Sequence, residues 1–500
     1  MVTHASRASS TPGCREVAVV GAGAAGLVAA RELRRENLAV TVFERGSEVG
    51  GTWVYTASCG STSSSSSAYH IHSSLYESLR VNLPKEIMGY SDFPFLDNSG
   101  SRYCGHAEVK DYLRSFVQHF DLESILEMNT LVEEAEPAEG GKWRLRVRPR
   151  GDQEGHDRVF DAVVVCNGHF ESPKFPQGVG RENYSGSQLH SCDYKTSDDD
   201  RFVGKRVLVV GMGPSGDDLC REVAEVASKV YWSGRGALSV PTSSQHSHRQ
   251  PDPPHSPLSL SLFLSLSLSF VDDAGFDRFD EERLRSVRSS LRGNVILRGN
   301  VASVSGKVVT FEKGSEDPVE VDTILWCTGY HYAVPFLKGS GAVQTERGRI
   351  EPLYEHLFHP KFGPKLSFVG LGFRILPFPF FEIQTRWVAR CLSGRCSLPT
   401  EQEMAAEAEA FYGGIEGEGA RVDMTHCMDG VQWDYLDRVA RNSGGAPKLE
   451  DWKIGLYEIN RVKKARHPKE YRDLTLPEEV PLMEKGAARA QSFLAQLQEL

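Results

Sequence analysis

Two glycine clusters have the residue types and spacing to hold phosphate. Gly21-Ala22-Gly23-Ala24-Ala25-Gly26 follows the apolar run Val17 to Val20 and opens a helical pattern through Arg35. Gly211-Met212-Gly213-Pro214-Ser215-Gly216 follows Val207 to Val210 and opens a second one through Ala227. A glycine turn between strand and helix aims backbone N–H groups and the positive end of a helix dipole at an anion. One such turn is a weak signal. Two, each in a strand–turn–helix setting, mark two dinucleotide sites. The residue after the next strand separates them. Ala39 to Phe43 ends at Glu44, a carboxylate that accepts hydrogen bonds from a ribose diol and repels a 2′-phosphate, which suits FAD. Lys229 to Trp232 leads into Ser233 and Arg235. A guanidinium there pairs with the 2′-phosphate of NADPH, and the serine hydroxyl can add a donor. Taken alone, Arg235 is equally a solvated surface arginine.

Other chemistry is sparse. After Glu44 comes Gly50-Gly51-Thr52-Trp53, whose glycines let the backbone pass close to a ring cofactor. Trp53 then either covers the cofactor or fills core beneath a turn. The ten cysteines contain no CxxC pair. A redox dithiol and a cysteine metal site are therefore not indicated, and no metal is expected.

The elements that must position these loops form two βαβ openings. A second echo supports a duplicated design: Asp161-AVVV-Cys166-Asn-Gly168-His169 matches Asp322-TILW-Cys327-Thr-Gly329-Tyr330 in spacing. Each reads as a buried strand that closes a nucleotide unit and returns the chain to its cofactor. The 500 residues leave room for two to four domains. A net charge of −10 argues against a nucleic-acid role. Residues 1–13 read as a disordered start without a secretory core, and a cytoplasmic location is expected. Ser61 to Ser67 reads as a flexible loop. From about Ser243 to Ser269 the chain runs from a His/Pro-rich stretch into repeated Leu-Ser. This tract is too short and serine-rich for a membrane span. A CT repeat read in frame gives the same residues, so an insertion or retained intron is suspected near 243–269.

Further motifs carry a resemblance. They are Gly50 to Trp53, the stretch Ser78 to Phe95, Pro377 to Gln384, Asp451 to Gly455, and the basic run Arg461 to Arg466. Tyr184-Ser-Gly186-Ser-Gln-Leu-His190-Ser-Cys-Asp-Tyr194 matches F-x-G-x-x-x-H-x-x-x-[FY], with Tyr for the first Phe. Together they resemble class B flavin-containing monooxygenases, in particular the plant S-oxygenase (glucosinolate S-oxygenase-like) branch. The resemblance implies an α/β fold of two Rossmann-like dinucleotide-binding domains, the NADPH domain (193–322) inserted into the FAD domain (14–192 and 323–500). It implies an NADPH-dependent flavin monooxygenase: FAD is reduced by NADPH, molecular oxygen gives a C4a-hydroperoxide, and thioether sulfur or an amine takes one oxygen atom. N-hydroxylation, Baeyer–Villiger insertion, or a product impaired by the 243–269 tract are the alternatives. By the same resemblance Asn82 is the residue at the reactive flavin edge, although an asparagine before Pro84 also reads as a turn cap. Thr328 and Gln384 become flavin contacts. His190 and Tyr194 position the interdomain linker. The expected partners are a small thioether or amine and oxygen, with no nucleic acid and no membrane span.

Overall fold

The computed structural model describes residues 16–57, 73–96, 100–234, 286, 288–312, 317–417 and 421–498. Arg235, the Ser61–Ser67 loop and the 243–269 tract lie outside them. So do residues 1–13.

The strands fall into two main sheets. In the first, β1 (Glu16–Val20) pairs in parallel with β2 (Ala39–Phe43) and β7 (Ala162–Val165), with β3 (Leu126–Glu127) beyond β2. On the other side β19 (Gly363–Phe368) joins β7 in parallel, and β18 (Phe358–His359) adds an antiparallel edge. Strand side chains alternate between faces, and both faces here are covered. Val17 and Val19 of β1, with Ala162 and Val164 of β7, pack among helices α1 (Ala24–Arg35) and α5 (Pro377–Leu392). Ala18, Val20, Val163 and Val165 face the antiparallel meander β4 (Thr130–Ala138), β5 (Lys142–Pro149) and β6 (His156–Phe160). Double burial explains why these strands read as unbroken apolar runs rather than alternating ones.

The second sheet repeats the plan. Its order is β12 (Val295–Arg298), β11 (Lys229–Ser233), β10 (Arg206–Val210), β16 (Thr323–Trp326) and β9 (Ser187–His190), all parallel. Val207 and Val209 pack on α4 (Pro214–Val226), while Leu208 and Val210 face the small sheet β13 (Val301–Ser305), β14 (Val308–Phe311) and β15 (Val319–Glu320). The expected span 193–322 is too short for this sheet. β9 and β16 are strands of it and fall outside on either side. The Asp322–Gly329 echo thus closes the second unit, as Asp161–Gly168 closes the first. A two-stranded ribbon, β8 (Ser172–Pro173) against β17 (Tyr330–His331), ties the segments that leave β7 and β16.

After α5 the chain is helical: α6 (Glu401–Gly417), α7 (Gln432–Asn442), α8 (Asp451–Arg466) and α9 (Val480–Gln498). Among the described residues, no helix is long and apolar enough to cross a membrane.

Candidate functional site: two glycine cradles and the segment between them

The first cradle lies at the carboxyl end of β1. Gly21 has φ +105°, and its N–H donates to the Phe43 carbonyl at 2.8 Å. A Cβ on it would stand 2.6 Å from the Cys166 carbonyl oxygen, and one on Gly26 only 1.8 Å from the Gly21 oxygen. These two glycines let strand and helix meet. Gly23 has another role. It begins α1 with no side-chain cap, and the first turn carries no acid, so the helix N-terminus stays open to an anion. Gly51, at φ +55°, docks on it, and a Cβ there would lie 2.9 Å from the Gly23 Cα. Gly50 N–H donates to the Ala22 carbonyl at 3.0 Å, which fastens the Gly50–Trp53 turn to the loop. Glu44 is buried. Its Oε2 accepts from Ala22 N at 2.8 Å and its Oε1 from Gly46 N at 2.7 Å. The carboxylate is therefore held beside the loop, where a ribose would follow a pyrophosphate.

The second cradle repeats the glycine geometry, while the first turn of its helix carries Asp217, which pairs with Arg221. Gly211 has φ +119°, donates to the Ser233 carbonyl at 2.8 Å, and would place a Cβ 2.2 Å from the Cys327 oxygen. A Cβ on Gly216 would lie 2.0 Å from the Gly211 oxygen, whereas one on Gly213 would meet nothing within 4 Å. Gly213 N-caps α4 and Pro214 enters its first turn, where the missing N–H costs nothing; Ser215 follows. Met212 packs over Gly234, and Trp232 Nε1 donates to the Gly211 carbonyl at 2.8 Å. Ser233 does not fit the role expected of it. It is fully buried, and its hydroxyl donates to the Gly299 carbonyl at 2.6 Å, so it has no proton to offer a phosphate.

Between the cradles runs the segment 73–84. Tyr76 OH donates to Asp218 of α4 at 3.0 Å, and Ser78 Oγ to Glu222 at 2.6 Å. Asn82 is exposed, and its carbonyl accepts from Asn460 Nδ2 at 3.0 Å. Asn460 Oδ1 in turn accepts from Tyr103 OH at 2.6 Å. The short helix α2 (Lys85–Met88) is N-capped by Pro84 with no side-chain hydrogen bond, so Asn82 is not its cap. Thr52 is exposed, with Oγ1 3.5 Å from Ser74 Oγ. Trp53 is half-buried and packs against the first core.

Four other expected residues are engaged with protein groups. Gln384 is fully buried on α5. Its Oε1 accepts from Gly370 N at 3.3 Å and its Nε2 donates to Tyr435 OH at 2.8 Å. Its amide thereby holds Gly370, which packs on Ala25 of the first cradle. Thr328 follows β16 in the second unit, and its hydroxyl donates to the Lys174 carbonyl. His190 is fully buried, with Nε2 3.0 Å from the Gly329 carbonyl, and its Nδ1 accepts from Cys192 N. Tyr194, also fully buried, packs on Tyr76 and Phe202. Both sit at the crossover, as a linker role requires.

Cys166 and Cys327 occupy equivalent positions beside the two loops. Burial pushes both thiols well above the ordinary range, so neither offers a thiolate nucleophile. No His/Cys/Asp/Glu group among the described residues could hold a metal ion. Sequence reasoning missed Asn460 and Arg472, whose partners lie hundreds of positions away in the chain.

The sequence model of the family described as flavin-binding monooxygenase-like matches residues 14–247 and 285–453. The gap between them takes in most of the Leu-Ser tract. The chain is 39% identical over 473 residues to flavin-containing monooxygenase FMO GS-OX-like 2 of Arabidopsis thaliana, covering 92% of this chain and 91% of that one. It is 39% identical over 453 residues to FMO GS-OX5 of the same plant, covering 89% and 87%. The solved structure of S-allyl-L-cysteine S-oxygenase from Allium sativum superposes with a TM-score of 0.79 at 35% identity, covering 96% of this chain and 99% of that one.

Proposed function

The chain belongs to the flavin-binding monooxygenase-like family, and from that premise we propose that it oxidises a small thioether to its sulfoxide, with FAD on the first glycine cradle and NADPH on the second. The observation that carries this reading is the pair of matched cradles, one beside a buried carboxylate and both open at the helix N-terminus. The cradles fit the two groups: a Cβ on Gly213 would stand in open space, and Gly23 is met only by Gly51. FAD, when bound, supplies the acceptance of hydride from NADPH and the activation of molecular oxygen.

The protein's own residues bind, orient and exclude water. Backbone N–H groups of residues 23–26 and of Gly213, Ser215 and Gly216, with the α1 and α4 dipoles, would hold the pyrophosphates. The Ala22 N–H, held by Glu44 in this structure, and the Glu44 carboxylate meet the ribose side. The Gly51–Trp53 turn and the 73–84 segment screen the space between the units from water. Asn82 presents an amide there that both donates and accepts, on a backbone held by Asn460.

Sulfur is the proposed target because a soft, polarisable nucleophile needs no deprotonation before it takes an oxygen. The S-oxygenases among the relatives support it. Supplying purified protein with NADPH, air and in turn a thioether, a tertiary amine and a cyclic ketone tests the choice. Sulfoxide as the main product is expected. N-oxide or lactone as the main product overturns it.

A further inference from the structure

We infer that Arg472 is a positioning residue that couples the second nucleotide unit to the segment carrying Asn82, a role that rests on the assignment of NADPH to the second cradle.

Arg472 lies beyond α8, far along the chain from either partner. Its Nη1 and Nη2 donate to Oδ1 and Oδ2 of Asp218 at 3.2 and 2.9 Å, a two-pronged contact. Its Nε donates to the Val81 carbonyl at 3.1 Å. Asp218 stands near the start of α4, the helix whose N-terminus forms the second cradle. Val81 immediately precedes Asn82. One guanidinium therefore grips the cofactor-binding helix of one unit and the backbone beside the candidate catalytic residue of the other. The pair is mostly buried, with side chains 17% and 25% exposed, so solvent screens it incompletely.

Neighbouring contacts make the grip rigid. Tyr76 OH donates to the same Asp218 at 3.0 Å. Arg80 Nη2 donates to Asp473 at 2.9 Å and reaches the Arg472 carbonyl at 3.4 Å. Burial alone would raise the Asp218 carboxyl, but Arg472, with Lys464 and the Tyr76 hydroxyl, holds the group below its ordinary value, so it is anionic at neutral pH. A two-pronged arginine–carboxylate contact fixes angle as well as distance. A tilt of α4 as a dinucleotide settles on its N-terminus is then transmitted to Val81 and to the placement of Asn82. Lysine would keep the charge and three donors, but its compact ammonium lacks the planar fork that fixes the angle of the contact.

The test uses FAD-loaded wild type, Arg472→Gln, Arg472→Lys, Asp218→Asn and the Arg472→Gln/Asp218→Asn double variant. NADP+ binding is measured by titration calorimetry. Hydrogen peroxide released per NADPH consumed is measured with the thioether present. FAD content is expected to stay near wild type and the variants to stay folded, with the single variants melting lower than the double variant because each leaves one buried charge unpaired. NADP+ Kd should rise about fivefold or more in Arg472→Gln and Asp218→Asn, in the range of site-to-site couplings. The peroxide share should rise with it, since reducing equivalents from NADPH then reach oxygen without reaching substrate. Arg472→Lys should fall between, and the double variant should be no worse than the worse single, because both act through one contact. Unchanged Kd and peroxide share in both singles overturn the proposal, as do effects that add. Loss of FAD and of folding in both singles marks a plain structural ion pair and also overturns it. A wild-type chain that takes up FAD but no NADP+ removes the assignment of the second cradle itself, and the coupling with it.

Discussion

At the first cradle, a methyl group added to Gly21 and one added to Gly23 meet different surroundings. Gly21 is left-handed and its Cβ would press on the Cys166 carbonyl at 2.6 Å, whereas a Cβ on Gly23 reaches only ordinary contact, 3.4 Å from Gly51. Gly21→Ala should therefore lower melting temperature and yield along with flavin content. Gly23→Ala should fold normally yet lose FAD by about tenfold in affinity, ~1.4 kcal/mol, because its methyl stands where the pyrophosphate approaches. Flavin absorbance per protein and a melt separate the two; equal melts and equal flavin content would contradict the cradle geometry. A second residue-scale feature is the buried imidazole pair His356 and His426, with Nδ1 atoms 3.1 Å apart. Ile350 N donates to His426 Nε2 at 3.2 Å, so His426 carries its proton on Nδ1 and donates to His356. Burial, helped by Arg438, lowers His356 to about 4, and burial with the neighbouring imidazole puts His426 well below its ordinary value. The unfolded chain then binds more protons as pH falls below the ordinary imidazole value of 6.5. Stability is full above that value and is lost progressively toward about 4. Melts between these limits should show the decline, and His356→Gln, which keeps an acceptor but does not titrate, should flatten it. The cradle glycines and Glu44 were legible in the sequence because local φ, close approach and charge sign are local properties. The hydrogen bonds of Ser233 to Gly299 and of Gln384 to Gly370 and Tyr435 were not legible, because their partners are set by the fold and not by local sequence.

Among the elements, α1 and α5 show how a cradle is braced. Arg31 on α1 is 2% exposed and donates to Glu382 on α5 at 2.6 Å. Glu32 and Asp92 also pair with it, and Arg386 donates to Glu382 at 2.7 Å. Burial alone would raise the Glu382 carboxyl, yet Arg31 and Arg386 bring it down to about 2. Glu382→Gln leaves two guanidinium groups short of one carboxylate in the core. It should cost about 3–5 kcal/mol, the range for breaking a buried pair. Denaturant unfolding checks this, and a loss within error of zero would mean that the network is not what fixes α1 beneath its loop. The first two strands and both glycine helices were readable because apolar run, glycine turn and helical pattern follow one another without interruption. Strand β9 fell outside the expected 193–322 span, and β16, which the echo reads as closing the second unit, was cut off by that boundary, because a linear boundary cannot show which sheet a strand joins. Their register, Trp326 opposite His190, exists only in the fold.

For the whole molecule, two copies of one design are bolted together by segments distant in sequence. Residues 73–84, the β8–β17 ribbon and the chain after α8 do the bolting, and pairings such as Asn82 with Asn460 leave no trace in local spacing. The duplication was legible; the joinery was not. In the proposed function the cradles work together, one cofactor on each, to move oxygen onto sulfur. The most direct measurement supplies the purified chain with NADPH, a thioether and isotopically labelled dioxygen, and reads the label in the product by mass spectrometry. Labelled sulfoxide formed in step with NADPH consumption is expected. Unlabelled sulfoxide, or NADPH consumed by a yellow protein with no sulfoxide at all, would contradict it.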